Sequence, residues 1–311
     1  MVLASRGGLS AGGDAARATG AAGDSAKRQA PRPWWRRTWL WLLVLAVVGV
    51  AAYWWWPRPD APASVSVDGR VSSPTRVDND PARALEEALA AARRSLETLQ
   101  GIADYTATFV KQERVGGRLL EQETAVLKVR QEPFSVYLRH TAPAAREGQE
   151  ALYIAGRNGG KLLAHGVGIE KLLGTLRLDP QGFLAMRDNR HPITQIGMKN
   201  LLHELLKLSE TQRDNILQCD IRIHEDVSVD QRPCRCLELR SPRPLPGFPL
   251  AIARIYLDRQ WNIPVRYEAY EWKDDSGREY HLVEFYEYRD IRLNVGLSDA
   301  DFDPSHPEYG F

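Results

Sequence analysis

The chain has 311 residues, 43% hydrophobic and 26% charged, with 41 basic against 40 acidic side chains. That balance is globular, neither disordered nor polytopic, and a net charge of +1 offers no electrostatic case for a nucleic-acid partner. Three cysteines are too few for a disulfide-built fold or a Cys-rich zinc site.

Residues 1–37 carry seven Lys and Arg against Asp14 and Asp24, and half of the first thirty are Ala or Gly. This reads as a disordered, basic tail. Thr38–Trp56 follows, 19 residues without a charge, about 28 Å as a helix and close to the hydrocarbon thickness of a bilayer. Trp34, Trp35, Trp39 and Trp41 crowd one end and Tyr53–Trp56 the other, as amphipathic rings do at both headgroup interfaces. With the basic residues on the N-terminal side, the expectation is an uncleaved, single-pass signal anchor in a bacterial inner membrane. The N-terminus is then cytoplasmic and everything after Trp56 periplasmic. Cleavage after Ala61-Pro-Ala63 is the alternative. Residues 57–80, with Pro57, Pro59, Pro62 and Pro74, form a linker, leaving 81–311 as the exported domain.

Asp80-Pro81 is a strong helix start, and Leu85, Ala88, Leu89, Ala92, Leu96, Leu99 and Ile102 recur at steps of three and four up to Gly101. From Tyr105 the period is two. A strand through Phe109 turns at Val115-Gly-Gly-Arg118 and returns over Leu119–Arg130. Phe134–Arg139, Ala151–Ala155 and Lys161–His165 are further strands. A second amphipathic helix is expected over Thr194–Ser209, then strands over about 219–229, 232–240, 251–258, 262–272 and 279–293. Consecutive hairpins without βαβ units indicate an α+β fold. Its core element is a strongly curved antiparallel sheet, an incomplete β-barrel with helices on the concave side, preceded by one transmembrane helix.

Tyr105–Arg114, Gly160–His165 with Leu178-Asp-Pro180, Asn189–Thr194 through Ile196-Gly197, Phe302-Asp-Pro304 and Pro307–Phe311 together resemble a bacterial domain family of unknown function, number 1571, over roughly 85–311. A weaker likeness, at the level of fold, is to the LolA/LolB-like lipoprotein carriers. It rests on Val229–Glu238, Tyr256-Leu-Asp258, Ile263-Pro264 and Asp299–Phe302. That resemblance implies a half-open barrel, plugged by helices, that holds acyl chains. The chain departs from it in carrying a membrane tether and in the section from Gly156 to Pro192.

No nucleophile elbow, phosphate-binding glycine loop or His-Glu-x-x-His occurs. Cys234 and Cys236 share one strand face, and with Cys219 they read as buried free thiols. His224-Glu-Asp226 and Asp303 with His306 read as solvated turns, so neither a metal nor a cofactor is expected. Two candidate sites remain. One is an apolar trough on the inner face of the sheet, made by Phe109, Leu127, Val136, Leu138, Leu152, Ile154, Ile255, Leu257, Val265 and Tyr267. An unfilled trough of this kind takes an acyl chain at about 0.8 kcal/mol per buried CH₂; the alternative is a core filled by the two helices. The other is a polar set, Lys161, His165, Asp179, Arg190, His191 and Thr194. There Lys161 and Arg190 would hold an anionic headgroup while His165 or Asp179 orients it. The expected function is non-catalytic binding of a lipid, acyl chain or lipidated partner by a domain tethered to the bilayer through 38–56. A structural or protein-interaction module is the second reading and a hydrolase the third.

Overall fold

The computed structural model describes residues 76–77 and 80–311. The expected tail (1–37), the membrane span (38–56) and most of the linker (57–80) lie outside the described residues. Among the described residues no helix is long and apolar enough to cross a membrane.

Asp80 caps the first helix, α1 (Pro81–Gln100), its carboxylate accepting from the backbone N–H of Ala82 at 3.0 Å and of Arg83 at 3.4 Å. Thirteen strands then form a single antiparallel sheet. In chain order they are β1 (Arg76–Val77), β2 (Asp104–Val115), β3 (Arg118–Leu119), β4 (Glu123–Arg130), β5 (Ser135–Ala142), β6 (Glu150–Ile154) and β7 (Leu162–His165). After them come β8 (Thr175–Leu178), β9 (Asp220–Val229), β10 (Arg232–Arg240), β11 (Leu250–Asp258), β12 (Pro264–Trp272) and β13 (Tyr280–Leu293). The spatial order is β1-β9-β10-β11-β12-β13-β2-β4-β5-β6-β7-β8, with β3 pairing only β2. Two meanders therefore meet where the last strand, β13, pairs the first long one, β2. The terminal strands β1 and β8 do not pair each other, so the sheet stays open.

The expected return strand over 119–130 is broken. Leu119 pairs Arg114 and Glu123 pairs Lys111, so three residues, 120–122, face two. This bulge flips the strand's parity and turns Glu123 to the same face as Lys111. The second long helix, α2 (Met198–Thr211), starts four residues later than its periodicity predicts. A 3₁₀ turn, Ile193–Gln195, comes first; Gly197, at φ +116°, is then the N-cap of α2, and a Cβ there would lie 3.1 Å from the Tyr105 hydroxyl. That hydroxyl accepts from the Met198 N–H at 3.1 Å, fixing the helix start to β2. Strand β8 was not expected. Arg76–Val77, inside the expected linker, pairs β9 as a short edge.

One face of the sheet wraps α1 and α2. Leu99, Met198 and Leu202 pack there with Tyr105, Leu127, Val129, Val136, Ile255, Leu257 and Val265 in a single core. The opposite face carries the C-terminal segment after β13. Phe302 is buried among Tyr137, Leu152, Ile154 and Leu163, and Tyr309 stacks on Tyr137 at 4.0 Å. The Gly310 N–H donates to Glu150 at 2.6 Å, and Asp299 pairs with Arg130 at 2.8 Å. Leu152 and Ile154 thus lie on the outer face, contrary to expectation. Register pairs Leu138 with Ala151 and Val136 with Tyr153, so Ala151 and Tyr153 are the inward residues of β6. In Ala151-Leu-Tyr-Ile154 both parities are apolar, and only the register chooses between them.

Phe302→Ala should destabilise the domain by about 3–5 kcal/mol, because it empties the centre of this outer cluster. Urea unfolding measures the loss, and a change within 1 kcal/mol or so would remove the segment's structural role.

Candidate functional site

Antiparallel alternation brings the end of β2, the start of β4, the end of β5, the end of β12 and the start of β13 to one end of the sheet. Polar residues sit at the inward positions there. Lys111 and Glu113 continue the parity of Phe109, and His140 that of Leu138. Glu123 joins them through the bulge. The segment 185–191 crosses this end and is held by it. Lys111 Nζ donates to Asn189 Oδ1 at 2.5 Å and lies 3.5 Å from Glu113 and 3.4 Å from Glu123. Glu123 also meets Arg146 at 2.9 Å and His140 at 3.2 Å, and Arg146 reaches on to Asp188 at 2.9 Å. The Arg190 N–H donates to Glu113 at 3.0 Å, while its guanidinium grips Glu284 at 2.8 Å and Glu271 at 3.2 Å. His191 is 3.1 Å from Glu284, and the Tyr286 hydroxyl donates to Glu113 at 2.5 Å.

Burial alone raises a carboxyl pKa, but here the partners win. Lys111, His140 and Arg146 bring Glu123 down to about 2, and His191 and Arg190 hold Glu284 below the usual carboxylate range. The hydrogen bond to Glu284 raises the His191 imidazole above its ordinary value.

Beneath this polar end lies a partly open cavity of about 470 Å³. Its apolar wall includes Phe109, Ala125, Leu138, Ala164, Leu178, Leu201, Leu205 and Tyr267. A smaller hollow of about 120 Å³ between α1, α2 and β10–β12 shares Leu205, Leu208, Phe248, Leu250 and Tyr267 with it. Within the expected trough, then, Phe109, Leu138 and Tyr267 line the main cavity, and Ile255 lines the smaller one with Tyr267. Leu127, Val136, Leu257 and Val265 are sealed in the core against the helices. The concave face is solid towards Tyr105 and hollow towards Lys111.

The expected polar set does not assemble. Arg190 and His191 line the cavity, and Thr194 lies three residues on, its carbonyl accepting from Asn200 at 3.2 Å. Lys161 is exposed and Asp179 closes a turn by accepting from the Gln181 N–H at 3.0 Å. His165 is buried on the outer face, edge-on to Phe311. Asp179 follows the end of the β7–β8 ladder opposite the His165–Thr175 pair, so the two form no acid–base couple. Arg190 is committed to Glu284 and Glu271 and is no free anion clamp. His224, expected in a solvated turn, is buried on β9 within 3.9 Å of Glu238. Glu225 and Asp226 pair with Arg259, and Asp303 caps Ser305. Cys219, Cys234 and Cys236 are buried and free. The sequence reading missed Lys111, Glu113, Glu123, His140, Arg146 and Glu284. Charged residues at inward parity, as in Phe109-x-Lys111-x-Glu113, were the available signal.

Residues 102–311 match the family described as "Protein of unknown function (DUF1571)", and the chain belongs to that family. No curated protein sequence matches it. Similar solved structures include a DUF1329 family protein from Desulfovibrio piger, at 15% identity over 72% of this chain and 98% of that one, TM-score 0.36. The Mycobacterium tuberculosis lipoprotein LppX is similar at 13% identity over 70% and 99%, TM-score 0.40. A LolA superfamily protein from Nitrosomonas europaea is similar at 14% over 70% and 97%, TM-score 0.28.

The sign of the pH dependence follows from Glu123. A depressed carboxyl stabilises above its ordinary value of 4.5 and loses that contribution as pH falls towards 2. Acid should therefore remove on the order of 3 kcal/mol through this group, and Glu123→Gln should flatten the loss in urea unfolding followed from pH 5 to pH 2. An unchanged acid limb in the variant would show that Glu123 does not carry it.

Proposed function

We propose that this member of the DUF1571 family binds the acyl chain of a lipid or of a lipidated partner in the 470 Å³ cavity, and does so without a chemical step. The segment 38–56 would hold the domain at the periplasmic side of the inner membrane. The observation that carries the reading is the cavity's division into a greasy wall and a polar end. Its volume falls within the range of small-molecule pockets, about 300–1,000 Å³, and each CH₂ placed against the wall gains about 0.8 kcal/mol.

The polar end narrows the ligand. Glu113, Glu123, Asp188, Glu271 and Glu284 meet Lys111, Arg146, Arg187 and Arg190, and each of these cations already faces a carboxylate. A strongly anionic head finds no uncommitted partner there, whereas a neutral or zwitterionic head, or an ester or amide, fits among groups that are already paired.

Ala164→Phe, on β7, fills the wall of the cavity. Mass spectrometry of solvent extracts should find lipid with the purified wild-type chain and several-fold less with the variant, at a similar melting temperature. Uptake of a fluorescent fatty acid should fall in parallel. A wild-type chain that carries no lipid and takes up no probe would end this reading.

A further inference from the structure

Among the described residues the fold leaves one projecting cluster of large apolar side chains in water. Ile169 and Leu172 are 86% and 85% exposed, Leu173 is 67%, Phe183 69% and Leu184 58% exposed. Ile169, Leu172 and Leu173 belong to the 3₁₀ turn Gly168–Leu173, and Leu184 to the helical turn Phe183–Met186. Glu170 and Arg187 bridge the two turns at 3.7 Å, so they stand side by side. Leu184 and Arg187 also line the cavity, which places the projection at its rim.

Lys171, in the first of these turns, and Arg177, on β8 just after it, are exposed and pair with no carboxylate among the described residues, whereas Glu170 is engaged by Arg187. Leu, Ile and Phe side chains on the tips of two tight turns, beside uncommitted cations, suit a fluid anionic surface, into which narrow apolar tips can sink. A protein interface calls for a broad, well-packed core, which two such turns do not present. The chain's own uncharged run at 38–56 supplies the bilayer in the expected topology.

We propose that this projection is a membrane contact. Ile169, Leu172, Leu173, Phe183 and Leu184 enter the headgroup–acyl boundary of an anionic leaflet, Lys171 and Arg177 face its phosphates, and the rim of the cavity is set against the lipid. The inference rests on reading the cavity as a lipid site for its purpose, but not for its test.

The test uses the full chain reconstituted in phosphatidylcholine vesicles containing about one third phosphatidylglycerol. Leu172→Cys is labelled with a polarity-sensitive fluorophore, the native cysteines being buried. Emission at 172 should shift to the blue and be quenched by lipid-borne spin labels. A label at Asp275→Cys, in the exposed β12–β13 turn, should stay unquenched. Replacing Lys171 and Arg177 by Gln should lower the ratio of embedded to free projection about fivefold per cation removed. An unquenched label at 172 overturns the proposal, as does equal quenching at 275 or indifference to the two cations. A vesicle-free shift that grows with protein concentration points to a second copy as the occupant and overturns it too. Lipid extraction of the purified chain before reconstitution, compared with its Ala164→Phe variant, separates the two readings. Cavity lipid with a water-facing 172 sinks only the contact, and an embedded 172 with no cavity lipid sinks only the binding function.

Discussion

Glu113, Glu123 and Glu284 are carboxylates held against the concave face of a sheet, and a buried charge without a partner costs several kcal/mol. That requirement organises the functional end of the molecule. The segment through Asp188, Asn189, Arg190 and His191 has little regular structure of its own, yet each of these residues bonds to the sheet or, for Asp188, to Arg146 beside it. The bonds span the ends of β2, β12 and β13, so the crossing segment ties these strand ends together. Asp188, Asn189, Arg190 and His191 all line the cavity.

Such a network contributes little to net stability, since desolvation offsets most of the Coulombic gain, but removing one member strands the others. It is therefore suited to specifying a geometry. The Glu123 carboxylate meets Lys111, His140 and Arg146 together, and they arrive from the far end of β2, from β5 and from the loop after it. No aliphatic packing would impose the same separation while leaving a hollow.

The outer face is closed by different means. On β10–β13, Glu238, Glu268 and Glu287 lie beneath Arg254, Arg266 and Arg289, whose long stems cover them, Arg254 meeting Glu238 at 2.6 Å and Arg266 pairing with Glu287. On β5–β7 the C-terminal segment covers Leu152, Ile154 and Leu163 with Phe302 and Phe311. Both described cavities lie on the concave side, and the turns at 169–184 hold the most exposed large apolar side chains among the described residues.

Helix α1, the long hairpins and the α+β class were legible in the sequence because they depend on neighbours: the Asp80 cap, the period of three and four after it, the Gly116-Gly117 turn, the alternation along each strand. Apolar trough residues were legible where only one parity is apolar, as at Val265 and Tyr267 on either side of Arg266 and before Glu268. What the sequence left open was decided by pairing between distant strands. The bulge at 120–122 turns Glu123 inward, the β5–β6 register sends Leu152 and Ile154 outward, and the choice of carboxylate for Arg190 lies about ninety residues further along the chain. Local propensity cannot encode these, because a one-residue shift in register leaves every local pattern intact while exchanging the two faces of a strand.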